Sequence, residues 1–442
     1  VVSAFGGITN KLIKSAEMAA SGNERYLSLL EEIDGVHLSI IRDLIKTSNQ
    51  TELIGKVKLL IGNLEDLLHG IFLVRDLSLR SLDLVQSFGE RLSAQIIASF
   101  LTQEGKTAHY VDSRDLVETD DSFGMAKVNY NVTNKRLKTI EYRKSLPVVT
   151  GFIGYTKDKV TTTLGRGGSD FTASIVAAAL GAKELEIWTD VDGVMTADPR
   201  RVRDAFSIGR LSYDEAMELS YFGAKVIYPP TLQPVINKNI PLVIRNTFNP
   251  DFAGTYIHKD GRSSKRFVKG IASVDHISLI SVIGSGLVGV PGTASRLFGA
   301  LAQKSINVVL ISQASSEHSI CLAVDASEAH KAKKAVDDEF EFEMLRHRID
   351  PLIVEKNLAI IALVGDQMKS HQGISGKMFS ELGHNNVNIR AIAQGSSERN
   401  ISAVIRSEDV HKALNVLHAS FFEDQIKQLN LFIVGIGNVG AK

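Results

Sequence analysis

The residues best suited to chemistry in this sequence occupy a glycine-rich stretch, TLGRGGSD at residues 163–170, that leads into an apolar helical segment. Glycine lets the backbone approach an anion closely, and Ser169 or Asp170 can cap the helix that follows. The N–H groups at a helix start bind anions, and Arg166 adds a planar guanidinium suited to carboxylate or phosphate. The stretch predicts an anion-binding loop. A plain glycine-rich turn with a surface arginine is the alternative on local sequence alone.

A second cluster, WTDVDGVMTADPR at residues 188–200, follows an apolar run that reads as a strand. Three aspartates and Arg200 would then lie in a loop after the strand, where α/β folds bind nucleotides. Asp-Gly and Asp-Pro are also common turn formers, so ordinary turn chemistry is the alternative. We expect Trp188, the only tryptophan, to be a core residue.

Two further polar positions stand at predicted helix ends. Ser212 and Glu215 form a capping-box pattern, and Lys225 follows that helix in a tight connection where an ammonium could reach phosphates. Glu90, in FGERLSA, begins another helix. Taken singly, these positions are better explained as a solvated lysine and an acidic residue that favours the helix dipole.

Composition limits the class of protein. The 442 residues are too many for one compact core, and 44% of them are hydrophobic. Lys+Arg and Asp+Glu both number 50, which removes a global electrostatic argument for nucleic-acid or membrane binding. Cys321 is the only cysteine, so an internal disulfide is impossible and a reducing compartment is favoured. No apolar run is long enough to cross a bilayer.

The chain changes pattern at about residue 262. Before it, helical periodicity alternates with short apolar strands such as residues 146–151, which predicts an α/β domain with a mainly parallel sheet. After it, the stretch from Asn307 to Gln313 matches the stretch from Asn388 to Gln394 at a constant offset of 388 − 307 = 81. This tandem duplication predicts two α+β modules whose sheets pair side by side, the first with a helix over residues 293–304.

The sequence lacks the signature motifs of several enzyme classes. There is no G-x-x-x-x-G-K-[ST] loop, no protein-kinase motif set and no histidine spacing for a metal site, so we predict no protein-bound metal cluster. The last residues, VGIGNVG, resemble the start of a dinucleotide-binding unit. No second strand follows, so we expect the first strand of an absent domain.

In this order the motifs resemble the aspartokinases of the amino-acid kinase family, in particular the aspartokinase half of bifunctional aspartokinase–homoserine dehydrogenases. The resemblance rests on SAFGGITN, FGERLSA, LGRGGSD, WTDVDGVMTADPR and MELSYFGAKVIYP, and on the pair ISQASSEHSI and IAQGSSERNI, which resembles tandem ACT regulatory domains. It runs from residue 1 to about 426. It implies an amino-acid-kinase-like, mainly parallel sheet sandwiched by helices, followed by two α+β ACT-like regulatory domains.

The resemblance also implies ATP-dependent phosphorylation of L-aspartate with Mg²⁺, and it assigns residues to roles. Aspartate is expected to be bound by Thr9, Glu90, Arg166, Gly167, Gly168 and Ser169. Catalysis is assigned to Asp170, Lys225 and Arg166. ATP is expected to lie against Thr189, Asp190, Met195, Arg200, Lys225 and Val226, although Met195 stands where relatives often carry Tyr. An amino-acid effector, threonine more than lysine, is expected near Asn307, Gln313, Asn388 and Gln394; simple satisfaction of turn backbone by these side chains is the alternative.

The expected organisation is a catalytic domain over residues 1–262, regulatory domains over 271–350 and 351–426 that can interleave, and the start of a homoserine dehydrogenase NAD(P)-binding domain over 430–442. Family members open with a Lys-Phe-Gly-Gly strand that carries a catalytic lysine. Because that strand is absent here, we expect a fragment. A cytoplasmic or, in a plant, plastid homo-oligomer without nucleic-acid or membrane partners is expected. Another amino-acid kinase and a catalytically silent amino-acid sensor are the alternative functions.

Overall fold

The computed structural model describes residues 1–222, 228–259, 266–287, 289–313, 318–366, 368, 371–395 and 399–423. Lys225 and Val226, and the dehydrogenase-like segment 430–442, lie outside these ranges. The chain forms two compact units. The first contains Val1–Val194 and Ser207–Lys265, and the second contains Met195–Phe206 and the chain from Arg266 onward.

The first unit is an α/β unit that begins with helices. Its described helices are α1 (Ile8–Ala20), α2 (Tyr26–Leu44), α3 (Thr47–Val74), α4 (Leu79–Gln86), α5 (Phe88–Gln103), α6 (Tyr130–Leu137), α7 (Gly168–Leu180), α8 (Tyr213–Tyr221) and α9 (Gln233–Lys238). Its described strands are β1 (Ala108–Val111), β2 (Glu118–Thr119), β3 (Leu146–Val149), β4 (Ile153–Thr156), β5 (Thr161–Thr163), β6 (Leu185–Thr189), β7 (Arg210–Leu211), β8 (Leu242–Asn246) and β9 (Thr255–Ile257).

Helices α1 to α5 share one hydrophobic core. Apolar residues recur every three or four positions along α3, and Val57, Leu64 and Leu68 are fully buried against α1 and α2. This spacing places the apolar side chains on one face of the helix. The helical layer supports the start of α5, which carries Glu90.

Parallel pairing dominates the short sheets of the first unit. β1 pairs with β3, β2 with β4, β6 with β8 and β7 with β9 in parallel, while β4–β5 and β8–β9 are antiparallel. The N-terminal residue Val2 bridges in parallel to Thr150 beyond the end of β3. The predicted α/β class with a mainly parallel sheet is therefore confirmed.

The second unit is built from the duplicated modules. Its described elements are β10 (Gly270–Ile283), α10 (Thr293–Gln303), β11 (Leu310–Gln313), β12 (Ser319–Asp325), α11 (Ala329–Glu339), α12 (Glu341–Leu345), β13 (Ile353–Val364), α13 (Ile374–His384), β14 (Ile389–Gln394), β15 (Asn400–Arg406) and α14 (Val410–Phe422). The six strands form one sheet in the order β11-β12-β10-β13-β15-β14, which joins the modules through the antiparallel pair β10–β13. The predicted side-by-side pairing is confirmed, and α10 lies where the helix over residues 293–304 was predicted.

Met195–Phe206 belongs to the second unit although it lies within the first half of the chain. Ile271 N donates to Thr196 O at 2.7 Å, and Asn415 Nδ2 donates to Arg201 O at 2.9 Å. Val202 is buried in the same apolar cluster as α13 and α14. These contacts attach the segment to the duplicated modules.

Candidate active site

Glu90 lies in the first turn of α5, and its side chain is only 3% exposed. Its Oε1 accepts a hydrogen bond from Ala4 N at 3.2 Å, whereas its buried Oε2 has no hydrogen-bond partner. Burial raises the pKa of Glu90 to about 7. A buried carboxylate oxygen without a donor favours binding of a cationic donor such as an ammonium group.

Gly89 allows α5 to pack closely against the segment that precedes α1. A Cβ at Gly89 would lie 2.7 Å from Ala4 Cβ, so a larger residue would displace that segment, and 3.8 Å from Ile8 Cγ2 in α1, which is an ordinary van der Waals separation. Thr9 follows Ile8 in the first turn of α1 and is half-buried. The structure therefore brings Thr9 and Glu90 to neighbouring helix starts.

The N-terminal strand connects this region to the glycine-rich loop. Val2 N donates to Val149 O at 2.9 Å, and Gly151 N donates to Val2 O at 2.8 Å. A Cβ at Gly151 would lie 2.8 Å from Ser169 Oγ, so the backbone of Gly151 packs directly against Ser169. Glu90 thus contacts the N-terminal segment at Ala4, and Ser169 packs against Gly151, which is hydrogen-bonded to the same segment at Val2.

The glycine-rich loop ends in the first turn of α7. Gly167, with φ of 69°, is the N-cap residue and makes no side-chain cap. Ser169 and Asp170 already lie inside the helix, so the prediction that one of them caps it is wrong. Because the left-handed conformation favours glycine, the helix can start without a capping side chain. Gly168 N donates to Gly165 O at 3.0 Å, so the N–H groups that could bind an anion are those that follow Gly168.

Charged groups at this helix start differ in exposure. Burial raises the pKa of Asp170 to about 6, whereas Arg166 is exposed. A Cβ at Gly167 would lie 2.7 Å from Tyr228 Cβ, and Gly168 is buried. The loop backbone is thus packed closely while the guanidinium of Arg166 is free to reorient.

Asp83 in α4 is a buried positioning residue that the sequence analysis missed. Its carboxylate accepts hydrogen bonds from Thr163 N at 2.9 Å, Thr163 Oγ1 at 2.8 Å and Gly124 N at 3.0 Å. Burial, partly offset by these donors, raises the pKa of Asp83. Thr163 immediately precedes the glycine-rich loop, so Asp83 anchors one end of that loop to α4. The available signal was an aspartate within the apolar run SLDLV.

The second predicted cluster begins at the end of β6. Thr189 is half-buried, Asp190 is exposed, and Thr189 Oγ1 donates to Asp190 Oδ1 at 3.2 Å. Since α7 leads through a short turn into β6, the start of α7 and the end of β6 lie at the same edge of the unit. Trp188 is 46% exposed, so its predicted core position is wrong. As the residue before the strand end, it points to the face opposite buried Ile187.

Asp192 has a structural role beside this strand end. Its carboxylate accepts hydrogen bonds from Asn246 Nδ2 at 2.9 Å and Asn249 Nδ2 at 3.2 Å, and its carbonyl accepts one from Ser207 Oγ at 2.5 Å. These contacts hold the loop after β6 against the end of β8. Thr189 and Asp190 are the predicted nucleotide residues that this loop presents.

Met195 and Arg200 belong to the second unit, where Met195 is half-buried and Arg200 is exposed. Arg200 Nε and Nη2 donate to the two carboxylate oxygens of Asp198 at 3.0 and 2.7 Å. This pairing leaves the guanidinium at the surface of the segment. In the part of the chain that the structure describes, no cluster of three or more His, Cys, Asp or Glu could hold a metal ion.

The four predicted effector residues lie at corresponding places in the two modules. Asn307 and Asn388 precede β11 and β14, and Gln313 and Gln394 end these strands. All four side chains are exposed. Ser312 Oγ donates to Ile392 O at 2.9 Å, which brings the two edge strands together.

Comparisons with known proteins agree with this architecture. The amino acid kinase family model matches residues 1–246, and an ACT domain model matches residues 280–340 and 361–421. The chain is 39% identical to the bifunctional aspartokinase/homoserine dehydrogenase 2, chloroplastic, of Arabidopsis thaliana, over all of this chain and 49% of the relative. It thus spans about half the length of the bifunctional plant relative.

Two further aspartokinases are similar to this chain over most of its length and most of their own. Aspartokinase 2, chloroplastic, of Arabidopsis thaliana is 32% identical over 96% of this chain and 78% of its own length. The crystal structure of E. coli aspartokinase III in complex with aspartate and ADP (R-state) superposes with a TM-score of 0.81 at 29% identity, over 96% of this chain and 92% of that one. In the ranges described above, no helix has both the length and the apolar character to cross a bilayer.

Proposed function

Because this chain belongs to the aspartokinases of the amino acid kinase family, we propose that it transfers the γ-phosphoryl group of ATP to the side-chain carboxylate of L-aspartate. The observation that carries the proposal is the unsatisfied, buried Oε2 of Glu90 in the same neighbourhood as the start of α7. The Glu90 carboxylate suits the ammonium group of an amino acid, and the N–H groups at the start of α7 suit its carboxylates.

The substrate residues in this proposal are those predicted from the sequence. Glu90 binds the ammonium group, and Thr9 and Ser169 donate hydrogen bonds from neighbouring helix starts. Arg166 and the N–H groups that follow Gly168 bind carboxylate oxygens. Asp170 organises the network and, with Arg166 and Lys225, makes up the catalytic set.

For ATP, Thr189, Asp190, Met195, Arg200, Lys225 and Val226 are the proposed contacts. The end of a β-strand beside a helix start is the place where α/β folds bind nucleotides. Mg²⁺ would be bound mainly through phosphate oxygens, as is usual for this ion, and when bound it neutralises charge that spreads over the transferred group.

The chemical step needs little acid–base assistance. An aspartate side chain is ionised at pH 7, so it can attack the γ-phosphorus in line without losing a proton to a general base. The residues of this chain hold the two substrates in position and stabilise the developing charge with Arg166 and Lys225. The product is 4-phospho-L-aspartate, an intermediate on the route to threonine, methionine and lysine.

We propose the predicted domain limits: a catalytic domain over 1–262, from which Met195–Phe206 departs to join the second unit, ACT-like domains over 271–350 and 351–426, and the start of a dehydrogenase domain over 430–442. We propose that the longer protein also carries NAD(P)-dependent homoserine dehydrogenase activity. Threonine is the proposed feedback inhibitor, bound near Gln313 and Gln394, and the protein is proposed to be a homo-oligomer in the cytoplasm or a plastid.

The test is release of ADP in an ATP-coupled assay with L-aspartate, run in parallel with L-glutamate. Trapping the acyl phosphate with hydroxylamine identifies the product independently of ADP release. Turnover with aspartate and little with glutamate supports the proposal. Preference for glutamate would identify another amino-acid kinase, and threonine binding by calorimetry without any turnover would identify a silent sensor.

A further inference from the structure

A cavity of about 860 Å³ lies in the second unit where β10 and β13 run side by side. His276 and Asn357 line it, and both adopt left-handed backbone conformations with φ of 57°. The register of β10 against β13 shifts between Val274 and Ile277, as expected at β-bulges. The two irregularities open the sheet at its centre, and bulges commonly serve to re-aim side chains toward a site.

The cavity has equivalent walls from the two modules. Its lining residues His276 and Asn357 differ by 357 − 276 = 81, and Ala326 and Ser407 differ by 407 − 326 = 81, the offset of the duplication. Ile277 and Leu358 obey the same offset. The cavity therefore lies at the junction of the modules and is made of both.

This position differs from that of the predicted effector residues. Gln313 pairs with Ile320 near the start of β12, and Gln394 pairs with Ile401 near the start of β15, whereas the cavity-lining residues Ala326 and Arg406 lie just after β12 and at the end of β15. Ile277 pairs with Asp325, and Leu358 pairs with Arg406, at the opposite ends of the same strands. A ligand in the cavity would not occupy the places where Gln313 and Gln394 lie.

The charged residues that line the cavity are not repeated between the two modules. Arg390 and Arg406 come from the second module, where the first module has Val309 and Asp325, and Lys356 corresponds to Asp275. With Arg201, the lining contains four cationic side chains against the carboxylates of Asp275, Glu355 and Glu408. The cationic and acidic side chains from the two modules balance, so the lining has one excess positive charge, supplied by Arg201, and this excess favours an anionic ligand.

Each guanidinium group already pairs with a replaceable carboxylate. Arg201 donates to both oxygens of Asp275, at 3.0 and 2.5 Å. Arg390 Nε lies 3.5 Å from Glu355 Oε2, and Arg406 Nη1 lies 3.2 Å from Glu408 Oε1. These pairs are partly exposed, so each is worth little in free energy and an oxyanion of a ligand can displace the carboxylate.

Arg201 connects the cavity to a different part of the chain. It belongs to Met195–Phe206, the segment that contains Arg200 and continues from the loop after β6. Asn415 binds the Arg201 carbonyl, so the arginine stands on a backbone that is fixed to the modules. Ligand binding to Arg201 would therefore act on the same segment as the proposed nucleotide contact Arg200.

We propose that this cavity is an additional effector site that binds a small polyanionic metabolite through phosphate or carboxylate oxygens. Arg201, Arg390 and Arg406 bind the ligand as guanidinium forks, and Lys356 supplies a further charge. The proposal does not depend on the kinase activity or on threonine as effector, because it rests on residues outside both assigned sites.

The test is isothermal titration of the full protein with inorganic pyrophosphate and, separately, with citrate, which distinguishes phosphate from carboxylate recognition. The double variant Arg390→Gln/Arg406→Gln should bind the preferred probe at least about tenfold more weakly than the wild type. Lys331→Gln/Arg346→Gln removes the same charge from exposed positions outside the cavity and should bind like the wild type.

Hydrogen exchange locates the site independently. The preferred probe should slow exchange in the peptides that cover residues 195–206 and 274–277 in the wild type and in the control variant. Equal affinity in the wild type and in Arg390→Gln/Arg406→Gln overturns the proposal. So does the absence of binding by both probes, or binding without slower exchange in these two peptides.

Discussion

The proposed aspartate pocket and the predicted effector residues differ in how fully one chain builds them. Glu90 is 3% exposed, and Asp83 secures the start of the glycine-rich stretch with two hydrogen bonds to Thr163 and accepts a third from Gly124. Gln313 and Gln394, in contrast, are exposed at the ends of edge strands. The proposed substrate residues are thus held in place within the first unit, whereas the predicted effector residues are presented on a surface. Substitutions in the first region should therefore affect turnover, and substitutions in the second should affect inhibition.

The largest expected effect comes from Glu90→Gln. Loss of a buried charge opposite the substrate ammonium should lower kcat/KM for aspartate by about 10²–10³-fold. Folding should be as stable as in the wild type or more stable at pH 8, because the buried carboxylate that costs free energy to ionise has been removed. Steady-state kinetics and thermal unfolding measure the two effects. Unchanged kcat/KM in the folded variant would exclude Glu90 from ammonium binding.

The next effect is on the pH dependence of the same pocket. With its pKa at about 7, Glu90 is protonated below that pH and must ionise before it can bind an ammonium group. We therefore expect kcat/KM for aspartate to rise about tenfold per pH unit below 7 and to level off above it. The folded state binds this proton more tightly than the unfolded chain. The contribution of Glu90 to the free energy of unfolding therefore decreases as the pH rises from the ordinary glutamate pKa to about 7.

Glu90→Gln is the control for this profile. Its kcat/KM should lose the limb that titrates near pH 7, while any contribution of Asp170, whose pKa is about 6, remains. A wild-type profile that is flat from pH 6 to 8 would contradict the proposed role.

Asp83→Asn should have a smaller effect on both activity and stability. The amide oxygen can still accept from Thr163 N and Gly124 N, but the amide nitrogen in the place of Oδ1 cannot accept from Thr163 Oγ1, so we expect a loss of about 1–3 kcal/mol in the free energy of unfolding. Displacement of the loop should lower kcat/KM for aspartate about tenfold. Chemical denaturation measures the first quantity.

Two comparisons separate positioning by Asp83 from a general stability defect. The dissociation constant for an ATP analogue should change less than KM for aspartate, because Asp83 holds the loop that contacts aspartate. Asp83→Glu should recover part of the activity. Equal losses toward both substrates would assign Asp83 to folding alone.

The smallest effect on basal turnover is expected for Gln313→Ala and Gln394→Ala. Both residues are exposed, so activity without effector should stay within about twofold of the wild type, while inhibition by threonine weakens. Inhibition curves with increasing threonine measure the change. Full inhibition of both variants would place the effector elsewhere.

The features that were predictable from sequence are those with strong local or repeated patterns. The offset of 81 residues predicted two modules that pair their sheets, and apolar spacing placed α10 nearly to the residue. The capping box of Ser212 and Glu215 is also present. In each case one short pattern of residues determines the local structure.

The features that could not be predicted depend on long-range contacts. Asp83 binds Thr163 across 80 positions, and no local pattern identifies that partner. Trp188 is exposed because side chains alternate along β6, which composition alone does not show. The prediction that Ser169 or Asp170 caps α7 was wrong because Gly167, in a left-handed conformation, is the N-cap residue.

The placement of Met195–Phe206 has a consequence for how such a protein can be divided or recombined. The polypeptide passes between its two units three times, at Val194, at Phe206 and at Lys265. A single cut after Lys265 would leave Ala197 and Val202 on the wrong piece, without the apolar partners that now bury them. Exchange of regulatory halves between relatives would therefore need Met195–Phe206 to be exchanged as well. Otherwise the new regulatory half would have to pack against a segment from the other protein.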